Sequence, residues 1–261
     1  MTVPRSPAPS LSVVVRPDLE RASAEVAEHL VSSVRSAVAA RGECAIALAG
    51  GNTPRRLYEL LAGEPYRDRI PWGRLRVFFG DERDVPPDDA RSNYHMARVA
   101  LLARVPVPAE RVHRMPAERP DLDAAAEEYE RTLRRYLPIA SDRWPRLDWV
   151  LLGLGDNAHT ASLFPGTPVV REARRAIVAL YVPELRANRM TVTPPLLNHA
   201  AAVVFLAAGA GKADAVRRVL EGPWDPDAAP AQVVRPVDGT LLWLLDVAAA
   251  ARLTQPVPGP R

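Results

Sequence analysis

Apolar residues recur every three to four positions across residues 18–41, and this period predicts a long amphipathic helix. The pattern then changes. "ECAIALAGG" is a continuous apolar run ending on paired glycines, as expected of a strand buried on both faces. "TPRRLYELLAG" returns to helical spacing, with Thr53 as its expected N-cap, Pro54 at its first position and Gly63 after its end. "RLRVFFGDER" is a second strand, and "SNYHMARVALLARV" is a helix capped by Ser92 or Asn93. "DLDAAAEEYERTLRRYL" is a helix carrying Glu/Arg pairs three or four apart. "LDWVLLGLG" is the third clear strand, followed by "RAIVALYV" and "AAVVFLAAG", with "RMTVTPPLLNHA" between them as a short strand leading into a helix. "GAGKADAVRRVLEG" is a helix ended by Gly222, and "GTLLWLLDVAAAARL" starts as a strand and finishes as a helix.

Strands alternating with helices predict an α/β fold: a mostly parallel open sheet with helices on both faces, Rossmann-like in class. The expected organisation is one domain over 1–261, with its core at about 15–252, no internal repeat and loose Pro-rich ends at 4–8 and 256–260. "GPWDPDAAPA" reads as an ordered loop. Composition narrows the class. A hydrophobic content of 48% supports a buried core. No apolar run reaches the roughly 18–20 residues of a membrane span, and the N-terminus has too short an apolar stretch for a signal peptide. The single cysteine, Cys44, lies in an apolar run and reads as a small core hydrophobe, which fits a cytoplasmic protein. A net charge of +3 with interspersed signs argues against a nucleic-acid partner. One asymmetry stands out: among 34 basic residues, Lys212 is the only lysine. Lysine differs from arginine where a compact ammonium must fit a confined site.

Open parallel sheets bind ligands beyond the carboxyl ends of their strands, and three turns fall there. In "GGNTP", Gly50 and Gly51 permit close backbone approach, and the following helix can aim free N–H groups at an anion. "GDERDVPPDDARSNY" collects acids and arginine at a strand end, a composition equally natural in a solvated loop. "GLGDNAHTAS" places one imidazole, His159, at the mouth of a turn. Gly153, Gly155 and Ala158 match the dinucleotide spacing G-x-G-x-x-G/A. That reading fails, because the motif follows the third clear strand and the required acid about 20 residues on is missing, with Glu184 too distant. No His/Cys/Asp cluster has metal-ligand spacing, so no metal is expected.

Taken together, "LAGGNTPRRLYELLA", "FFGDERDVPPDDARSNYHMARVALL", "DWVLLGLGDNAHTASLFPGTP", "RMTVTPPLLNHAAAVVFLAAGAGKADAVRRVLEG" and "DGTLLWLLDVAAA" resemble the 6-phosphogluconolactonase family, in order and over roughly residues 15–252. The related glucosamine-6-phosphate deaminases share the Gly-Gly-x-Thr-Pro loop but are less similar in the other turns. The resemblance implies hydrolysis of 6-phospho-D-glucono-1,5-lactone to 6-phosphogluconate in the pentose phosphate pathway, with a sugar-phosphate lactone as the partner and no metal or nucleotide. It implies His159 as base, with Arg83 and Asp81 at the reacting end. It also implies phosphate binding by Gly50, Gly51, Asn52 and Thr53 together with Arg189 and Lys212. The expected assembly is a monomer or weak homo-oligomer.

The family usually has Asp-Gly before the histidine; this chain has Asn157-Ala158. A carboxylate could orient the imidazole and stabilise its protonated form, whereas the Asn157 amide can do only the first. If the glycine position needs positive φ, Ala158 strains the turn by about 1–2 kcal/mol. Two alternatives stay open on this ground: a sugar-phosphate-binding protein with lost or reduced turnover, and an isomerase or deaminase of amino-sugar phosphates.

Overall fold

A computed structural model describes residues 10–139 and 143–254 of the chain. The apolar runs β1 (Ser10–Arg16), β2 (Cys44–Leu48), β3 (Leu75–Phe79), β5 (Trp149–Leu152), β8 (Ala202–Ala207) and β9 (Thr240–Asp246) form one sheet of order β1-β9-β8-β5-β2-β3. Every neighbouring pair in it is parallel. β2, β5 and β8 are buried at every position, which is why their sequences are unbroken apolar runs rather than alternating ones. Phe205 and Trp243 stack at 3.9 Å between centroids on neighbouring strands of this core.

The helices are α1 (Leu19–Arg41), α2 (Asn52–Leu61), α3 (Tyr66–Arg69), α4 (Asn93–Ala97), α5 (Leu122–Tyr136), α6 (Pro194–Asn198), α7 (Ala213–Glu221) and α8 (Val247–Ala250). In α1 the predicted stripe of Ala22, Val26, Leu30, Val31, Val34 and Ala37 is buried. Asp18 caps its first turn by accepting from the Arg21 N–H, and Gly42 ends it in the left-handed conformation. Ser92 caps α4 by accepting from the His95 N–H, and Gly222 ends α7. Cys44 is fully buried, and burial pushes its thiol well above the usual range, so it packs rather than reacts.

Four sequence expectations are corrected. The run read as one strand, "RLRVFFGDER", breaks at Gly80: β3 stays in the parallel sheet, while β4 (Asp81–Arg83) joins a second sheet. That sheet is antiparallel, of order β4-β7-β6, and takes "RAIVALYV" as β6 (Ile177–Val182) and "RMTV" within β7 (Ala187–Val192). Only residues 183–186 separate β6 from β7, and so short a link can join strands only antiparallel. Thr53 does not cap α2. The helix begins two residues earlier, at Asn52 after Gly51 at φ +100°, and no side chain caps it. Finally, β1 is an additional strand, not assigned from the sequence although its Val-rich run suits one; it lies at one edge of the sheet and, among the described residues, pairs with β9. The expected loose ends at 4–8 and 256–260 lie outside the described residues. Among the described residues, no helix is long and apolar enough to cross a membrane.

Candidate functional site

The seam between the two sheets creates the site. Gly80 belongs to both sheets: its N–H donates to Leu48 O at 2.9 Å, and its carbonyl accepts from the Val192 N–H at 2.9 Å. The next three residues then take three separate tasks. Asp81 is 9% exposed, and both of its carboxylate oxygens are engaged, by Asn93 Nδ2 at 2.9 Å and Ser162 Oγ at 2.7 Å. Glu82 is buried and accepts from the Asn93 and Tyr94 N–H groups and from Ser92 Oγ, so it closes the N-terminus of α4. Arg83 faces the cavity, with its guanidinium donating to Arg91 O. Thus "DER" and "SNY" are two halves of one hydrogen-bonded unit. Of these, Ser92, Asn93 and Ser162 were missed as site residues from sequence, although the motifs that carry them were visible.

The "GLGDNAHTAS" turn is built around the His159 ring. Gly155 N–H donates to His159 O at 2.8 Å, closing the turn. A Cβ on residue 155 would fall 2.0 Å from His159 Nδ1, so only glycine lets the ring lie there. The other face of the ring stacks on Phe164, with centroids 4.1 Å apart. His159 Nδ1 lies 2.6 Å from Asn157 Oδ1, and the His159 backbone N–H donates to the same oxygen at 3.2 Å. A backbone N–H can only donate, which fixes the amide with its oxygen toward the ring. Nδ1 must therefore carry the proton, and the lone pair sits on Nε2. Burial, the leading cause, holds the imidazole pKa below its ordinary value; Lys212 acts in the same direction, while Asp81, Glu184 and Asp156 oppose it.

Ala158 adopts φ +65°, the left-handed conformation expected of a glycine. Its methyl is also fully buried. Relief of about 1–2 kcal/mol of strain in Ala158→Gly opposes loss of a methyl worth about 0.8 kcal/mol and an unfolded-state entropy cost of about 0.4–1 kcal/mol. The variant is therefore expected to unfold within about 1 kcal/mol of the parent in urea. A loss above about 2 kcal/mol would show that the methyl, not the backbone, dominates the turn.

All ten residues singled out from sequence line one cavity of about 530 Å³: Gly50, Gly51, Asn52, Thr53, Asp81, Arg83, Asn157, His159, Arg189 and Lys212. Its floor is the carboxyl ends of β2, β5 and β8, and its wall is the β4–β7 ribbon. Arg83 and Arg189 are direct cross-strand partners. Like charges placed opposite each other destabilise a ribbon, so an anion between them is favoured. Arg189 is 13% exposed at its side chain, and its nearest carboxylate, Asp84, stands at 4.0 Å. Lys212 Nζ reaches Asp156 Oδ1 at 2.6 Å, but Asp156 is 76% exposed, so this ion pair is weak and exchangeable. The uncapped start of α2 adds backbone donors at the Gly50–Thr53 loop. Among the described residues, no group of three His, Cys, Asp or Glu side chains could hold a metal.

A neutral, half-buried imidazole that shares one cavity with Arg83, Arg189 and Lys212, at the strand ends of an open α/β sheet, defines an enzyme site for an anionic substrate. Residues 17–243 match the family model of glucosamine-6-phosphate isomerases/6-phosphogluconolactonase, and the chain belongs to that family. It is 41% identical over 244 residues to a 6-phosphogluconolactonase of a Nostoc species, covering 93% of this chain and 98% of that one. It is 39% identical over 249 residues to the 6-phosphogluconolactonase of Mycobacterium tuberculosis, covering 94% of this chain and 99% of that one. The structure of 6-phosphogluconolactonase from Trypanosoma brucei superposes with a TM-score of 0.83 at 30% identity, covering 95% of this chain and all of that one.

Proposed function

We propose that this protein hydrolyses 6-phospho-D-glucono-1,5-lactone to 6-phospho-D-gluconate, the lactonase step of the oxidative pentose phosphate pathway. The observation that carries the reading is the His159 ring, with its proton held on Nδ1 by Asn157 and its Nε2 lone pair in a cavity lined by three cations. Relatives at about 40% identity over nearly the whole chain bear the same enzyme name. In this mechanism Nε2 takes a proton from water as the oxygen attacks C1 of the lactone. Arg83 faces the oxyanion that develops on the carbonyl oxygen. Collapse of the tetrahedral intermediate breaks the bond from C1 to the ring oxygen, and the imidazolium returns its proton to that leaving oxygen. The carboxylic acid formed then ionises in water. Asp81, held by Asn93 and Ser162, favours the transient imidazolium. The phosphate rests on the Gly50–Thr53 loop, with Arg189 and Lys212 as counter-ions.

The working assembly in this reading is a monomer or weak homo-oligomer, and the working compartment is the cytoplasm. The test is the rate of 6-phosphogluconate formation from freshly prepared lactone, read through a coupled dehydrogenase and corrected for spontaneous hydrolysis. The expected result is strong acceleration without ammonia release from glucosamine 6-phosphate. Tight binding of 6-phosphogluconate with no acceleration would instead make the chain a binding protein. The low imidazole pKa sets a further expectation. The base must be neutral, so the acidic limb of kcat/KM should lie below the ordinary imidazole value of about 6.5. A limb above that value would contradict burial as the dominant influence on the ring.

A further inference from the structure

The group against the His159 ring nitrogen is an amide, Asn157, yet a carboxylate reaches the site behind it. Glu184 sits in the four-residue link between β6 and β7, and its Oε2 accepts from Asn157 Nδ2 at 3.0 Å. Asn157 Oδ1 in turn accepts from His159 Nδ1 at 2.6 Å. We propose that Glu184 is a positioning residue for the base, acting through Asn157 to fix the amide's orientation and to place a negative charge two hydrogen bonds from the His159 ring.

The polarity of the chain is fixed at both ends. The backbone N–H of His159 demands an acceptor, which turns the Asn157 oxygen toward the ring. The amide nitrogen must then face outward, where it needs an acceptor, and the Glu184 carboxylate is that acceptor. Without it, rotation of the amide would cost only the ring-side contacts. With it, the flipped amide would set its oxygen against a carboxylate and its NH₂ against a backbone N–H. The carboxylate also makes the amide a stronger acceptor for Nδ1–H by polarising it. Proton transfer during turnover stays between water, Nε2 and the leaving oxygen; Glu184 remains ionised throughout.

Other charges face the same ring. Asp81 from β4 and Asp156 from the turn itself add to the negative side, and Lys212, from the loop before α7, opposes them. Arg83 and Arg189 lie across the cavity. Asp81 is tied to Asn93 and Ser162, and Asp156 is turned toward Lys212. Glu184 alone among these carboxylates is hydrogen-bonded to the residue that holds Nδ1.

The inference rests on His159 being the base, so its test reads the ring directly as well as through activity. Glu184→Gln keeps an oxygen acceptor for Asn157 Nδ2 and removes only the charge. The His159 pKa, followed by NMR titration of the imidazole nitrogens, is expected to fall by roughly 0.5 of a pH unit, as suits one solvent-screened charge at this separation. The acidic limb of kcat/KM should move down by the same amount, and kcat on the plateau should fall about threefold with KM unchanged. Glu184→Asp, which keeps the charge, should recover most of both. Asn157→Asp should move the ring pKa the opposite way, because its carboxylate then touches Nδ1 itself. A Glu184→Gln variant whose His159 pKa stays within about 0.1 unit of the parent overturns the proposal, whatever its rate. Failure of the underlying reading has a different signature: near-normal turnover in a protein lacking the His159 ring altogether.

Discussion

Replacing His159 with alanine is expected to lower kcat by roughly 10²–10⁴-fold while leaving the fold intact, the usual worth of a positioned general base. The expectation follows from how the ring is held. Three groups converge to aim it: the glycine at 155 that makes room for it, the Phe164 ring beneath it, and the Asn157 oxygen on Nδ1. None of them is lost in His159→Ala, so the turn should close as before through the Gly155 N–H and residue 159 carbonyl. The residual rate should come from Arg83 and the remaining cations, which still favour an oxyanion without removing a proton. KM should change little, because in the proposed mechanism the substrate's phosphate rests on other residues. The measurement is initial-rate kinetics on fresh lactone beside circular dichroism of the same sample. Turnover close to the parent in a folded variant would make His159 a packing residue and remove the mechanism.

Loss of a phosphate counter-ion is expected to be the next largest effect. Lys212→Ala and Arg189→Ala should each weaken 6-phosphogluconate binding by about 1.5–3 kcal/mol, the scale of a hydrogen bond to a charged group. Arg189 should fall toward the upper end, since its guanidinium is the more buried of the two and is poorly paired inside the protein. Lys212 must first release Asp156, an exposed partner that water can replace at small cost. Unphosphorylated gluconate should bind weakly and equally to the parent and both variants. Calorimetric titration of the two ligands separates the outcomes: equal losses for both would show that these cations hold the sugar or carboxylate rather than the phosphate.

Much of this architecture is legible in local sequence because its causes are local. The 3.6-residue period of residues 18–41, the Asp18 cap and the Gly42 stop specify α1 within a few turns of chain. Unbroken apolar runs at β2, β5 and β8 announce strands covered on both faces. All ten candidate site residues converge on one cavity: strand-end turns of the parallel sheet open on the same side and bring Gly50–Thr53, Asn157, His159 and Lys212 together, while Asp81, Arg83 and Arg189 arrive on the β4–β7 ribbon. The lone lysine was a compositional signal, and it lines that cavity.

What periodicity could not show was where the chain changes sheets. "RLRVFFGDER" has no break in its apolar-then-charged pattern, since a strand entering a second sheet at Gly80 keeps an extended backbone on both sides of the switch. The β6–β7 hairpin has the composition of two more parallel strands, and only its pairing partners reveal otherwise. The capping of α4 by Glu82 and the locking of Asp81 by Ser162 join residues 10 and 81 positions apart. Such bonds leave no periodic trace.

The Asn157 substitution divides the two kinds of information most clearly. The sequence shows an amide two residues before the histidine, and Ala158 is strained there only if the turn needs positive φ; both statements concern adjacent residues whose geometry a tight turn dictates. That Glu184 stands against the amide, 27 residues further on and in the link between β6 and β7, depends on where the hairpin folds over the turn. Local chemistry determines what a turn lacks, whereas packing between distant segments determines what is brought to it.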